Sequence, residues 1–371
     1  MASAFCLRLA SAPADAATPA LREVYARDFL IGAAVPASVV SKPDSPAAAL
    51  LARQFSSLTP ENDLKWDHVQ PRPGEFTFRA ADALVAFGEK HKLAVIGHTL
   101  VWHSQTPAWV FTGPDGQPAS ADELRARMRT HIETVAGRYC GRIRGWDVVN
   151  EAVADGGPEV LRDSPWRRIL GEDFVELAFR IARETDPKAE LYYNDYNLEQ
   201  PAKRKRALAL LRRLKERGAP IDGVGLQGHY NLQWPPAAEV DATIREFSAL
   251  GLKVMITELD VNVLPSRGPQ GVADVALRED GAPELDPYRD GLPAQMQQRL
   301  AARYAELFGV FLRHREQIDR VTFWGLHDGA SWLNNWPVRG RRNHPLLFDR
   351  DLNPKPAFQA VVTRPTKSTA P

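Results

Sequence analysis

One pattern, repeated eight times, limits the folds open to this chain more than any other feature. A short β-rich run ends in polar residues and gives way to a stretch with apolar residues at helical spacing. The runs are Phe29–Val35, Ser57–Asn62, Leu93–Trp102, Gly145–Glu151, Ala189–Asn197, Asp222–Tyr230, Lys253–Val261 and Arg320–Asp328. Between them lie stretches such as SADELRARMRTHIETVAGRY and PAKRKRALALLRRLKERG, each with an apolar stripe and a charged opposite face. Strand and helix alternating in this way predict a parallel sheet. Eight units predict that the sheet closes, giving an α/β chain with a single (β/α)8 TIM barrel. An open dinucleotide-binding sheet is disfavoured, because no glycine-rich fingerprint follows the first run. At 371 residues the chain is long for one ordinary domain, and a barrel of this class accommodates that length.

The polar residues keep choosing the same end of each run. Glu61 and Asn62, His98 and His103, Asn150 and Glu151, Asn194 to Asn197, Gln227 and His229, Glu258 and Asp260, and His327 and Asp328 all sit at or just beyond C-terminal ends. In a closed parallel barrel that is the face on which chemistry is built. The seventh run is followed by an extra Pro/Gly/Asp-rich stretch, Leu264–Gln295, which leaves the same face and is placed to wall a cleft.

Charge and composition remove several classes. Lys plus Arg number 47 against 46 Asp plus Glu, so no global field recruits nucleic acid or an anionic membrane. No apolar run approaches the ~18 residues of a membrane span. Two cysteines, Cys6 and Cys140, make a disulfide framework unexpected, and no Cys/His spacing suggests zinc. Residues 1–21 are rich in Ala, Ser and Pro and read as a disordered linker or export-signal remnant, leaving 22–371 as the catalytic barrel. The basic stretch Lys203–Gly218 reads as the solvated face of a helix.

Glu151 and Glu258 each end an apolar run, on the fourth and seventh strands of the expected eight, and so face one another across the barrel mouth. Cleaving a glycosidic bond needs two such carboxyls, one protonated for the leaving oxygen and one ionised to attack or to activate water.

The segments TPENDLKW, GHTLVWH, WDVVNEA, YYNDYN, LQGHY, ITELDV, FWGLHDGASWLNNWPVRG and PLLFDRDLNPKPAF, in that order, resemble the endo-β-1,4-xylanases of glycoside hydrolase family 10. The resemblance runs from about residue 22 to 363. It implies a retaining hydrolase of the xylan backbone, with Glu151 as general acid/base, Glu258 as nucleophile and carboxyls about 5–5.5 Å apart. Asn150 would hold the 2-hydroxyl of the cleaved sugar. His229, steered by Asp260, would hydrogen-bond Glu258, and Gln227 would reach the acid/base. Glu61, Asn62 and Lys65 are implied on the non-reducing side, His98, Trp102 and Gln105 around the cleaved sugar, and Tyr196 and Asn197 on the leaving-group side. Trp102, Trp324 and Trp332 would offer flat faces to pyranose rings. Packing is the better reading for Trp66, Trp109 and Trp166. One of Arg339, Arg341 and Arg342 would meet an acidic branch of decorated xylan. Xylan and xylooligosaccharides are the expected partners, with no cofactor, metal, nucleic acid or membrane, acting as a secreted or periplasmic monomer. Two other readings stay open: a related glycosidase favouring cellobiosides or aryl glycosides, and a xylan-binding protein without catalysis.

Overall fold

The computed structural model describes residues 19–267 and 275–364. Nine strands form it: β1 (Leu30–Val35), β2 (Ser57–Pro60), β3 (Ala94–Trp102), β4 (Gly145–Asn150), β5 (Glu190–Asp195), β6 (Gly223–Leu226), β7 (His229–Asn231), β8 (Lys253–Asn262) and β9 (Ile318–Phe323). All pair in parallel, in the order β1 to β6, then β8, then β9, which returns to β1 and closes the barrel. The one departure from eight runs is the sixth, which breaks in two. Gly228, at φ +82°, ends the pairing with β5, and β7 continues against β8 alone. A Cβ at that glycine would lie 3.0 Å from Ile256, so both backbone and packing ask for glycine there.

The helices follow from local chemistry. Ser120 caps Ala121–Arg138, accepting from the Glu123 N–H at 3.2 Å while the Glu123 carboxylate accepts from the Ser120 N–H at 2.8 Å. Pro201 opens Pro201–Glu216, where a missing N–H costs nothing. That helix corrects one expectation. Its basic residues are not all on a solvated face, because Lys203 is 1% and Arg204 7% exposed. The Lys203 ammonium lies 2.8 Å from Asp195 and 2.7 Å from Asp155, an inward-facing ion pair on the stripe of Ala207, Leu211 and Leu214 that a reading by charge alone assigns to solvent.

Two layers of core result. Outward-facing strand residues such as Leu58, Val101 and Val148 pack with the helices, while Ile96, Tyr192 and Met255 fill the barrel from within. The interior is not all apolar. Arg320 lies against the Tyr192 ring at 4.9 Å and 3.6 Å from Asp147, which in turn holds the Nδ1 of His98 at 3.0 Å. This buried polar column rises toward the mouth.

Two boundaries differ from the sequence reading. The last strand ends at Phe323, because Gly325 at φ +127° turns the chain into the short 3-10 turns Asp328–Ala330 and Trp332–Asn334. Ala20 and Leu21, expected in the linker, are 4% and 0% exposed and belong to the folded body. The rest of that expected linker, residues 1–18, and Cys6 within it lie outside the described residues. The stretch after β8 packs back on the barrel: Arg341 donates to the carbonyls of Pro265 and Leu285 at 2.9 and 3.3 Å, and Leu285 is 3% exposed. No helix among the described residues is long and apolar enough to cross a membrane.

Candidate active site

Glu151 sits where β4 is made to stop. Its backbone takes φ +56°, in the left-handed region that costs a non-glycine residue about 1–3 kcal/mol. The conformation is held from both sides. The Glu151 N–H donates to the Asn194 carbonyl at 2.8 Å, and the hydroxyl of Tyr193 accepts from the N–H groups of Ala152 and Val153 at 3.0 and 2.9 Å. The carboxyl is then fixed by three donors. Trp102 Nε1 reaches Oε2 at 2.8 Å, while Gln227 Nε2 and Asn150 Nδ2 reach Oε1 at 2.8 and 3.1 Å. Burial pushes this carboxyl up from its ordinary range, and the nearby Glu258 charge adds to it, against the bonds from Gln227 and Trp102 and the charge of Arg162.

Glu258, near the end of β8, has the opposite balance. Burial would push its carboxyl up, but the hydrogen bond from His229 and the charges of His98, His229 and Lys65 outweigh it, so the group lies below the ordinary range. His229 lies 3.1 Å from Glu258 Oε2 through Nε2 and 3.1 Å from Asp260 Oδ2 through Nδ1. Burial opposes a charged ring, yet the two carboxylates hold the His229 pKa up at about 10, so it is an imidazolium at neutral pH. Trp332 Nε1 donates to the same Asp260 oxygen at 2.7 Å, packing its ring against His229.

A single amide joins the two halves. Asn194 Nδ2 donates to Glu258 Oε1 at 2.8 Å and to Asn150 Oδ1 at 2.9 Å, and its own oxygen accepts from Thr257 at 2.6 Å. Asn194 is one of the polar strand-end residues read from the sequence but carried no assigned role there, and Thr257, inside its apolar run, was not singled out.

These groups surround a cavity of about 550 Å³. Glu61, Asn62, Lys65, His98, Trp102, Gln105, Trp324 and Trp332 all line it, as do the Asn150, Gln227 and His229 side chains. The Lys65 ammonium bonds Asn62 and Gln105, each at 2.9 Å, and lies 4.8 Å from the Trp102 ring. Burial pushes the Glu61 carboxyl up to about 7, with Lys65 pulling the other way. Val275, from the stretch after β8 that the sequence places to wall a cleft, also reaches the wall. At His229 and Trp332 the cavity meets a wider groove of about 1330 Å³, bordered by Tyr288, Arg299 and Trp336.

Tyr196 and Asn197 are not brought to either wall. Tyr196 is 1% exposed, and its hydroxyl is taken by Asp155 and Arg162 at 2.6 and 2.8 Å. His103 turns toward Arg162 at 3.3 Å. Arg341 is 3% exposed and engaged with backbone carbonyls, and none of Arg339, Arg341 and Arg342 lines the cavity or the groove. Trp66 and Trp166 are buried as packing residues, Trp66 stacked on His131 at 3.6 Å.

The profile of Glycosyl hydrolase family 10 matches residues 20–364. The chain belongs to glycosyl hydrolase family 10. Similar relatives in the family include an endo-1,4-beta-xylanase of Geobacillus stearothermophilus, 44% identical over 348 residues, spanning 93% of this chain and 98% of the relative. A beta-1,4-xylanase of Dictyoglomus thermophilum is 42% identical, spanning 93% and 90%. Among solved structures, a family 10 endoxylanase retrieved from a sugarcane soil metagenome superposes with a TM-score of 0.90 at 46% identity, covering 92% of this chain and 99% of its own. A mutant solved in complex with xylotriose superposes at 0.83 with 39% identity, covering 93% and 99%. The family's (β/α)8 barrel is the fold seen here.

Proposed function

We propose that this protein is an endo-1,4-β-xylanase that cleaves internal xylan linkages with retention, through a covalent glycosyl-enzyme. What supports the reading most is the opposite setting of two neighbouring carboxyls in one sugar-sized cavity. Glu258 is held ionised against the imidazolium of His229, and burial makes Glu151 keep its proton more firmly than an ordinary carboxyl. Separating two acids in this way assigns their work.

In the first half-reaction the Glu151 proton passes to the glycosidic oxygen as its bond to the anomeric carbon breaks. A Glu258 oxygen bonds that carbon from the opposite face. The leaving sugar departs as an alcohol, and Glu151 remains as a carboxylate. In the second half Glu151 takes a proton from water, the water oxygen attacks the anomeric carbon, and the ester to Glu258 breaks. Asn150, tied to Asn194 and through it to Glu258, would meet the hydroxyl next to the anomeric carbon. Lys65, Asn62, Gln105 and Glu61 form a hydrogen-bonding rim, with the faces of Trp102, Trp324 and Trp332 beside it. A pyranose has a matching polar edge and apolar face. Xylooligosaccharides are the proposed ligands of this rim, as xylotriose is of the solved relative.

Rescue chemistry tests the assignment. Glu258→Ala should lose activity and regain it with azide as the α-glycosyl azide. Glu151→Ala should regain activity with azide as the β-product, and only on substrates with good leaving groups. An exchange of these outcomes reverses the roles, and absence of reducing-sugar release from xylan by the unaltered protein sinks the reading.

A further inference from the structure

Behind Glu151, away from the sugar cavity, Trp102, His103, Glu151 and Arg162 close around a narrow, almost filled crevice. Arg162 reaches it from the loop after β4, where its N–H donates to the Ala152 carbonyl at 2.8 Å. Its guanidinium is clamped. Nη2 donates to the Tyr196 hydroxyl at 2.8 Å and to Asp155 at 3.1 Å, and Nη1 lies 3.3 Å from His103 Nε2. Lys203 braces the clamp from the helix beyond, 2.7 Å from Asp155 and 3.5 Å over the Tyr196 ring. The Arg162 side chain is 15% exposed, and its Nε is buried with no hydrogen-bond partner among the described residues. Arg162 thus shares the crevice behind Glu151 and keeps one buried donor that the loop does not use.

We propose that Arg162 is a positioning charge for proton transfer, held by Tyr196, Asp155 and His103 so that it stabilises the carboxylate Glu151 becomes when its proton passes to the leaving oxygen. The inference rests on the xylanase reading and deepens it. It also gives Tyr196 a task other than touching substrate. Arg162 acts against burial, drawing Glu151 back toward a useful acidity.

Other charged or titratable groups face Glu151 as well. Glu258 faces it from β8, Lys65 from the turn after β2, Asp195 from β5 and Tyr196 just beyond that strand. His103 lies beyond its back at the end of β3, and Asp155 and Lys203 act through the clamp. Of these, only Lys65 and Arg162 bring positive charge to it without an intervening clamp, and Lys65 does so from the sugar side.

The test compares Arg162→Met, Arg162→Lys and Tyr196→Phe by kcat/KM against pH, on xylohexaose and on 2,4-dinitrophenyl xylobioside. The second substrate's leaving group needs no proton. Because Glu151 must be protonated to act, activity falls as pH rises through its pKa. Loss of the positive charge in Arg162→Met should therefore move the alkaline limb to higher pH, by about one unit or less. Xylohexaose hydrolysis should fall roughly 10-fold or more while the aryl substrate changes far less. Arg162→Lys should keep the limb near its original position, and Tyr196→Phe should move it in the same direction as Arg162→Met, by less. If Arg162→Met does not fold, Tyr196→Phe decides. An unmoved limb, or equal losses on both substrates, overturns the inference while leaving xylan hydrolysis by the unaltered protein intact.

Discussion

At Glu258 the question is what keeps a buried carboxylate ionised. The answer lies in one ring: His229 is charged because Asp260 and Glu258 flank it, and its charge in turn holds the Glu258 pKa down. His229→Gln should keep a hydrogen bond but lose the cation, letting the Glu258 carboxyl rise. A nucleophile must be ionised, so its activity is lost as pH falls through its pKa. A raised pKa therefore moves the acid limb of kcat/KM to higher pH, a shift that kinetics from acid to neutral pH reads directly. A charge-assisted bond contributes about 1.5–3 kcal/mol, so activity at the optimum should drop roughly 10- to 100-fold. Asn194→Ala makes a complementary case. It removes the donor shared by Glu258 and Asn150, and an orphaned buried acceptor costs about 1–3 kcal/mol. The expected outcome is a kcat lowered by roughly 5- to 100-fold with KM little changed, which initial-rate kinetics on xylohexaose will show.

Elements, more than residues, were legible in advance. Short apolar runs mark the strands, which are buried on both faces, and 3.6-residue stripes mark the helices, which bury one. The pattern is silent where a face does not decide. The break at Gly228 turns on a backbone angle, and Lys203 shares the inward stripe of Ala207, Leu211 and Leu214 although its charge reads as solvated. Lys203→Met tests that second point. It leaves Asp195, which is 0% exposed, without its cation, and breaking a buried pair costs about 3–5 kcal/mol. Burial already pushes the Asp195 carboxyl up despite Lys203, so the penalty should shrink as pH falls and that group takes a proton. Urea unfolding at acid and neutral pH measures both parts. By contrast Ser120→Ala, at an exposed cap far from the cavity, should cost about 1 kcal/mol and leave activity unchanged.

For the whole molecule, the active face is where local rules are broken and the rest of the barrel compensates. The two acids were readable from their strand ends, and so were His229 and Gln227, because polar residues stand out against apolar runs. The acids' unequal settings follow from the roles the resemblance implies, but the groups that fix Glu151 were only partly readable, since they come from β3, β5 and the loop after β4 and share no motif. That inequality has a consequence for stability. Glu151 has its pKa raised on folding, so the folded state prefers it neutral and is penalised once pH exceeds the unfolded value of about 4.3, fully so above the folded pKa. Glu151→Gln should therefore stabilise the barrel at neutral and alkaline pH, with the gain vanishing below about pH 4, where both states are protonated. Glu258 has its pKa lowered, so its ionised form contributes stability that is present above the unfolded value and is lost as pH falls through the folded one. Glu258→Gln should accordingly destabilise at neutral pH, and less and less on acidification. Calorimetric melting of the two variants across this range should give pH dependences of opposite sign. Matching signs would mean that the two carboxyls are set alike, and the division of labour between them would have no electrostatic basis.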